Sequence, residues 1–230
     1  MKDKITDAVI AKLPQGVGTL AMREQHSRTK VMILATSEDF TIGKDNGIPW
    51  DCTSDMKFFK RVTTGNVVIM GRKTFESMGS RPLPNRVNII VSGTLNPNDS
   101  VGDLIIVDNL ASAFRIAQEV RLVHLKRNTV HEHVFIIGGV EIYEACLRDT
   151  DELLQSTIAV NCGEDGYGSD FVAGALARKF LDENEYVTEV IYCNKDGVVS
   201  TGDADKLLEI THHYKHDAPT MLMLKKRIKL

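Results

Sequence analysis

Several features that would assign a protein to a class at once are scarce in these 230 residues. There are four cysteines and no CxxC pair, so the sequence encodes neither a local zinc site nor a redox dithiol. In a chain long enough to bury a hydrophobic core, isolated thiols favour a reducing compartment, and we predict a cytoplasmic protein. Histidine-rich stretches at residues 131–133 and 212–216 are explained more simply as polar positions in loops or a strand, so we predict no metal site.

Long apolar runs are also missing. No stretch of about 18 apolar residues occurs, which predicts that nothing in the sequence spans a membrane. Lys2 and Lys4 are not followed by a continuous apolar segment, and the acidic Asp3 and Asp7 also argue against a secretion signal. The net charge of −3 predicts no general attraction to nucleic acid or to an anionic membrane surface.

The most informative segment is a predicted flexible loop at residues 42–50. Gly43, Asn46 and Gly47 tolerate the tight, positive-φ geometry that such a loop needs. Pro49 stops any helix and holds the residue before it extended. The loop ends at Trp50, the single tryptophan of the sequence.

An amphipathic helix is predicted directly after this loop, at residues 55–62. Thr53 and Ser54 are good N-cap residues for it. Asp55 lies in its first turn and shares one helical face with Phe59, four residues later, in otherwise apolar surroundings. The acid is therefore either an ordinary helix N-terminal charge or a buried functional carboxylate.

Two segments, residues 67–79 and 134–147, share a strand–glycine–helix pattern. The first strand ends at Gly71, which two cations follow, and the second ends at Gly138 and Gly139. A strand, a glycine and a helix N-terminus favour phosphate binding, because free N–H groups and the helix dipole point at the ligand. Neither segment is a Walker loop or a full GxGxxG motif, so each alone indicates phosphate weakly. Together with the acid behind its loop, they predict a dinucleotide beside a small polar substrate.

The remaining pattern alternates strands with helices. This predicts an α/β fold with a predominantly parallel central sheet, antiparallel C-terminal strands and flanking helices, in most simply one domain. The predicted strands are residues 30–36, 67–70, 86–92, 104–107, 134–137, 152–160, 186–193, 208–216 and 221–228. The predicted helices are residues 5–13, 55–62, 73–79, 110–122 and 140–147, and residues 25–28 are predicted to be loose.

These residues resemble the dihydrofolate reductase family. The motifs that carry the resemblance are residues 46–50, Asp55 with Phe59, residues 68–77, 81–86 and 88–92, and residues 136–139 with Tyr143. They occur in the family's order and at nearly its spacing. The resemblance implies a catalytic domain at residues 30–230, an N-terminal extension at residues 1–29 and a surface-loop insertion at residues 122–133.

The resemblance implies a reaction, which is the NADPH-dependent reduction of 7,8-dihydrofolate to tetrahydrofolate by hydride transfer to C6 and protonation of N5. Dihydrofolate is the expected partner, NADPH the expected cofactor, and the protein is expected to be a monomer. The implied catalytic residues are Asp55, Trp50, Ile48 and Ser156, with Thr157 as the alternative to Ser156 if the register shifts by one. The implied substrate-binding residues are Ile33, Met56, Phe59, Met78, Leu83 and Arg86. The implied cofactor-binding residues are Leu34, Ala35, Ile42, Gly43, Asn46, Gly71, Arg72, Lys73, Thr74, Ser92, Ile137, Gly138, Gly139 and Tyr143.

Two alternatives stay open. The first is a reductase of the same fold that acts on a riboflavin precursor, and the combination of Pro49, Trp50 and Asp55 argues against it. The second is a non-catalytic scaffold or assembly component, whose partners would bind residues 1–29 or the insertion at 122–133. Retention of the acid, the loop and the phosphate-type residues argues against inactivity.

Overall fold

The computed structural model describes residues 17–19, 28–37, 41–122, 133–158, 171–172, 186–193 and 221–227. The chain divides into two compact units, which are residues 1–30 with 63–142 and residues 31–62 with 143–230. The predicted helix at 5–13, the predicted strand at 208–216 and most of the insertion at 122–133 lie outside the described residues.

The described residues form strands and helices in alternation along much of the chain. The strands are β1 Val17–Thr19, β2 Thr29–Ser37, β3 Thr41–Gly43, β4 Val67–Gly71, β5 Val87–Val91, β6 Leu104–Val107, β7 Val120–Leu122, β8 His133–Ile136, β9 Glu152–Ile158, β10 Phe171–Val172, β11 Tyr186–Cys193 and β12 Met221–Arg227. The α-helices are α1 Thr53–Thr63, α2 Arg72–Ser77, α3 Leu110–Glu119 and α4 Val140–Cys146, with 3-10 turns at Pro97–Asp99 and Leu147–Asp149.

In the first unit, β8, β4, β5 and β6 pair in parallel in that order. Their side chains are buried on both faces, which is why the sequence shows continuous apolar runs there rather than alternation. Helix α3 contributes Ala113, Ile116 and Ala117 to the same buried cluster as Val67 and Ile89. Because each of these parallel strands ends at the same edge, the loops that follow β4 and β8 are neighbours.

Helix α3 ends at Glu119, before the predicted end of the 110–122 helix. Val120 takes an extended conformation with φ −95° and ψ 157° and begins β7, which pairs antiparallel with β1. The prediction was wrong at this point because strand pairing with a distant segment overrode the helical periodicity. Val120 is β-branched and loses little by becoming extended.

The prediction that residues 25–28 are loose is wrong for Arg28, because the Arg28 side chain is buried. Arg28 is 1% exposed, and its main-chain N–H donates to the Gln118 side-chain oxygen at 2.8 Å. Its Nη1 donates to the Ala117 carbonyl, and its Nη2 donates to the Val120 carbonyl at 2.8 Å. Arg28 therefore satisfies carbonyl groups that the end of α3 leaves without helical partners.

In the second unit, β2 and β9 pair in parallel, and β9, β12 and β11 pair antiparallel in that order. A short antiparallel pair joins β10 to β3, with Phe171 opposite Gly43. The predicted fold class, an α/β fold with a predominantly parallel sheet and antiparallel C-terminal strands, is confirmed.

Helix α1 begins earlier than predicted. The Met56 N–H donates to the Cys52 carbonyl at 3.1 Å, so Cys52 is the N-cap residue and Thr53 is the first helical residue. The prediction that Thr53 and Ser54 cap the helix was therefore wrong. Asp55 remains in the first turn, as predicted.

Candidate active site

The Asp55 carboxyl in α1 is buried, and it is hydrogen-bonded to the Ser156 side chain of β9. Burial raises the pKa of Asp55 above its ordinary value of 3.8, and the Ser156 hydrogen bond opposes that rise in part. Asp55 is 9% exposed, so it is not the solvated charge that usually occupies a helix N-terminus. Of the two residues considered for this contact, Ser156 makes it, and the Thr157 side chain lies outside the described residues.

Tyr143 is electrostatically coupled to the same carboxyl. Its hydroxyl donates to the Ile33 carbonyl of β2 at 2.8 Å, and the tyrosine is buried. Burial and the negative charge of Asp55 raise the pKa of Tyr143 far above its ordinary value of 10.0, so the phenol stays protonated. Ile33 is buried as well, whereas Leu34 and Ala35, the next residues of β2, are half-buried.

The predicted flexible loop before α1 contains a two-residue hairpin turn. The main chains of Lys44 and Gly47 exchange hydrogen bonds of 2.9 and 2.8 Å, and the central residues Asp45 and Asn46 have φ of 49° and 60°. This is the geometry of a type I′ turn. The prediction of a positive φ is confirmed for Asn46 and wrong for Gly43 and Gly47. Gly43 suits its position for another reason, because a Cβ there would lie 3.1 Å from the Gly47 carbonyl oxygen.

The remaining predicted residues of the second unit differ in exposure. Ile48 and Met56 are each 55% exposed. Trp50 and Phe59 are half-buried, and so is Ile42 of β3. The buried acid of α1 therefore lies on a helix that also carries a solvent-facing apolar side chain at the next position.

In the first unit the two glycine turns meet. The Gly71 N–H donates to the Gly138 carbonyl at 2.7 Å, and the Ile137 N–H donates to the Ile69 carbonyl at 2.9 Å. The Gly138–Gly139 peptide bond is cis, and Gly138 has φ of 113°. The sequence presented these as two separate weak motifs, and the parallel pairing of β4 with β8 brings them together.

Both turns leave little room for a side chain. A Cβ on Gly139 would lie 3.2 Å from Thr74 Oγ1, and a Cβ on Gly71 would lie 3.1 Å from Ile142 Cγ1. Thr74 is half-buried, and Lys73 is exposed. A ligand can therefore approach the main chain closely at these turns, and the cationic Arg72 and Lys73 directly follow Gly71.

The predicted phosphate-binding arginine has a partner within its own helix. Arg72 Nη1 lies 2.8 Å from both Oε1 and Oε2 of Glu76, one turn along α2. Ser92 is buried, and its hydroxyl oxygen accepts the N–H groups of Thr94 and Leu95 at 3.1 and 3.0 Å. Sequence reasoning did not assign Glu76, although its i, i+4 spacing from Arg72 was a readable signal.

The segment before β5 carries the predicted carboxylate-binding arginine. Arg86 is 2% exposed, burial lowers its pKa, and its Nη2 donates to Thr64 Oγ1 at 3.1 Å. Met78 and Leu83 are half-buried. Sequence reasoning also missed the buried Asn88, whose polar side chain in an otherwise apolar strand was the available signal.

The protein-family model described as Dihydrofolate reductase matches residues 30–174 of this chain. This chain belongs to the dihydrofolate reductase family. The Dihydrofolate reductase of Bacillus subtilis is 36% identical over 126 residues, which are 55% of this chain and 67% of the relative. The Dihydrofolate reductase type 3 of Salmonella typhimurium is 34% identical over 166 residues, 70% of this chain and 94% of the relative.

A longer relative and a solved structure are also similar to this chain, and both are named as dihydrofolate reductases. The Bifunctional dihydrofolate reductase-thymidylate synthase of Paramecium tetraurelia is 37% identical over 118 residues, and the chain spans 23% of that longer protein. A solved Dihydrofolate reductase from Enterococcus faecalis, complexed with NADP(H) and RAB-propyl, is similar with a TM-score of 0.55 and 21% identity. The match covers 87% of this chain and 97% of that one, and it establishes the dihydrofolate reductase fold.

Neither a cluster of metal-ligating side chains nor a candidate membrane-spanning helix is present in the described part of the chain. No group of three or more His, Cys, Asp and Glu side chains there is arranged to hold a metal ion. Among the helices of the described ranges, none has the length and apolar character needed to cross a bilayer.

Proposed function

We propose that this dihydrofolate reductase family member reduces 7,8-dihydrofolate to tetrahydrofolate with NADPH, and that residues 30–230 form its catalytic domain. The observation that carries the proposal is the buried Asp55 carboxyl with its Ser156 hydrogen bond. A carboxyl that is kept out of water and oriented by a hydroxyl is suited to bind a polar ring rather than to solvate a helix end. Family membership supports the same assignment.

Asp55 binds the pterin ring. Its carboxylate accepts hydrogen bonds from the 2-amino group and N3, and this charge favours the species protonated at N5. Ser156 occupies part of the carboxyl's hydrogen-bonding capacity and orients it. Trp50 holds a water molecule beside the acid, and Ile48 belongs to the loop that covers the reacting rings and excludes water.

Each of the two units contributes further proposed contacts to the substrate. In the second unit, Ile33, Met56 and Phe59 contact the substrate. In the first unit, Met78 and Leu83 contact the aminobenzoyl part, and Arg86 binds the glutamate carboxylate. A guanidinium presents N–H groups in a fork that matches a carboxylate, which lysine cannot reproduce.

The glycine turns of the first unit fit a dinucleotide. The main chain at Gly71, Gly138 and Gly139 approaches the pyrophosphate, because a Cβ at Gly139 would close the gap to Thr74. NADPH, when bound, supplies the hydride. The phosphates are held by Arg72, Lys73 and Thr74, and Arg72 binds the 2′-phosphate that distinguishes NADPH from NADH, with Ser92 assisting. The proposed nicotinamide contact of the first unit is Ile137. Those proposed in the second unit are Leu34, Ala35, Ile42, Gly43, Asn46 and Tyr143.

The test is the loss of 340 nm absorbance when the protein is mixed with NADPH and dihydrofolate. The wild type should turn over, and Asp55→Asn should keep its fold and lose most turnover at neutral pH. Asp51→Asn is the matched control, because Asp51 is an exposed acid four residues earlier and should keep its activity. A wild type without turnover, or an Asp55→Asn variant with near-normal turnover, would contradict the proposal.

The same preparation separates the other possibilities. Turnover with a riboflavin precursor in place of dihydrofolate would favour the other reductase of this fold, and failure to bind either NADPH or an antifolate would favour a scaffold. We also propose that the protein is a cytoplasmic monomer with no nucleic-acid or membrane partner. Light scattering of the purified protein tests its oligomeric state.

A further inference from the structure

Asn88 is a buried polar residue that the proposed reaction does not use. It is the second residue of β5, it is 0% exposed, and the residues beside it in the strand are apolar. Its main-chain N–H already donates to the Asp103 carbonyl at 2.7 Å. A buried amide side chain costs stability unless its own donors and acceptor are satisfied, so its partners identify what it holds.

The side chain of Asn88 holds the main chain of the preceding segment, residues 81–86. Its Oδ1 accepts the Leu83 N–H at 2.8 Å. Its Nδ2 donates to the carbonyls of Leu83 and Arg86 at 2.9 and 3.1 Å, and more distantly, at 3.5 Å, to the carbonyl of Asp103. The segment contains two prolines and forms no strand or helix, so the Asn88 amide supplies hydrogen bonds that secondary structure would otherwise provide.

A second set of contacts holds the same segment from the loop after α1. The Gly65 N–H donates to the Asn85 carbonyl at 2.8 Å, and the Val87 N–H donates to the Asn66 carbonyl at 3.1 Å. These bonds bring Thr64 Oγ1 within 3.1 Å of Arg86 Nη2. The main chain and the guanidinium of Arg86 are therefore each held by a separate side chain.

We propose that Asn88 is a positioning residue for substrate binding, and this inference rests on the proposed function. Leu83 and Arg86 are the residues assigned above to the aminobenzoyl-glutamate half of dihydrofolate, and Asn88 bonds to the main chain of both. It acts through them and touches neither substrate nor cofactor. Replacing Asn88 should therefore weaken binding of the aminobenzoyl-glutamate half of the substrate and leave binding of the pterin half unchanged.

The variant that tests this is Asn88→Asp, which has nearly the same shape and keeps an acceptor for Leu83 but sets an oxygen against the carbonyls of Leu83 and Arg86 in place of the Nδ2 donor. We expect KM for dihydrofolate to rise about fivefold or more, because hydrogen bonds are lost and the facing oxygens repel each other, while kcat and the KM for NADPH change little. With 6-methyl-7,8-dihydropterin, which lacks the aminobenzoyl-glutamate half, kcat/KM should match that of the wild type. An unchanged KM for dihydrofolate, or an equal loss with both substrates, would overturn the proposal.

Ile116→Ala is the control for a general loss of stability. Ile116 lies fully buried in α3, so its truncation should lower the melting temperature without changing KM for dihydrofolate. If Asn88→Asp fails to fold, Asn88→Ser provides the same test, because the shorter hydroxyl cannot reach both Leu83 and Arg86.

A measurement on the wild type needs no variant. The Leu83 amide should exchange with solvent deuterium much more slowly than the amide of the exposed Arg81, because the partner of the Leu83 N–H is a buried side chain. Equally fast exchange would overturn the proposal. If the wild type does not reduce dihydrofolate at all, the proposed function fails instead, so the two failures are distinguishable.

Discussion

Arg72 and Glu76 form an ion pair along one face of α2, in which Nη1 lies 2.8 Å from both carboxylate oxygens. The two side chains are 37% and 39% exposed, so water and salt weaken the pair, and it contributes about 0–1 kcal/mol. Arg72 is also the proposed partner of the cofactor's 2′-phosphate. Glu76 and that phosphate would then compete for one guanidinium.

This competition predicts the effect of Glu76→Gln. The variant should bind NADPH about two- to fivefold more tightly than the wild type, because a neutral amide holds Arg72 less strongly. NADH, which lacks the 2′-phosphate, should bind as before. The measurement is the dissociation constant of each nucleotide by titration calorimetry.

A double-mutant cycle with Arg72→Ala is the control for this prediction. Arg72→Ala alone should weaken NADPH much more than NADH. In that background Glu76→Gln should no longer improve NADPH binding. An equal improvement with and without Arg72 would show that Glu76 acts only by its negative charge.

A second prediction concerns Ser156. Its hydrogen bond lowers the pKa of Asp55 against the rise caused by burial, so Ser156→Ala should raise that pKa further. The titration of the Asp55 carboxyl, followed by ¹³C NMR, should shift to higher pH. Ser112→Ala is a suitable control, since Ser112 is a buried serine of α3 in the other unit. An unshifted titration in Ser156→Ala would contradict the assigned contact.

A third prediction is that Asp55 lowers the free energy of unfolding at pH values at which its carboxyl is ionised. Folding raises the pKa of Asp55. Its contribution to the free energy of unfolding is therefore most favourable below pH 3.8 and is lost as the pH rises through the pKa of the folded state. Asp55→Asn should therefore unfold at higher urea concentration than the wild type at pH 7, and the difference should shrink as pH falls toward 3.8. Asp51→Asn, at an exposed position, should show no such trend. A less stable Asp55→Asn at pH 7 would mean that other groups stabilise the ionised carboxylate.

A fourth prediction concerns Arg28 at the end of α3. Arg28→Met keeps much of the apolar stem but leaves the Ala117 and Val120 carbonyls without this donor, which should lower the free energy of unfolding by about 1–3 kcal/mol. Burial acts in the other direction, because it lowers the pKa of Arg28 to about 10 and so disfavours the charged side chain. Urea unfolding decides which effect is larger, and a more stable Arg28→Met would show that desolvation wins. The kcat of the folded variant should be unchanged.

The strands of the first unit were the most predictable part of the fold. The predicted strands at 67–70, 86–92, 104–107 and 134–137 are confirmed as β4, β5, β6 and β8, because strands buried on both faces require continuous apolar runs. The end of α3 was not predictable in the same way. Whether Val120 continues a helix or starts a strand depends on β1, about 100 residues away in sequence, and no local pattern reports that pairing.

The site was predictable to a similar extent. The motifs around Asp55, Gly71 and Gly138 were recognisable because they depend on local features of the sequence. Glycine permits a tight turn after a strand, and an acid in the first turn of a helix is visible from its position alone. The partners of these residues were not recognisable, since Ser156, Glu76 and Asn88 matter through contacts that only packing creates. The contact from Ser156 to Asp55 is an example, because the register of a strand cannot be read from composition.

The amino-acid sequence alone therefore determined the order of the longer strands and of the described α-helices, the family and the chemical type of each candidate group, but not the short strands β1, β3, β7 and β10. Those properties depend on local patterns of apolar residues, turns and charges. Tertiary structure decided which groups meet, how deeply Asp55 and Arg86 are buried, and hence the directions in which their pKa values move. The reason is physical, because burial and hydrogen bonding between distant segments are set by packing, and packing is a property of the whole fold.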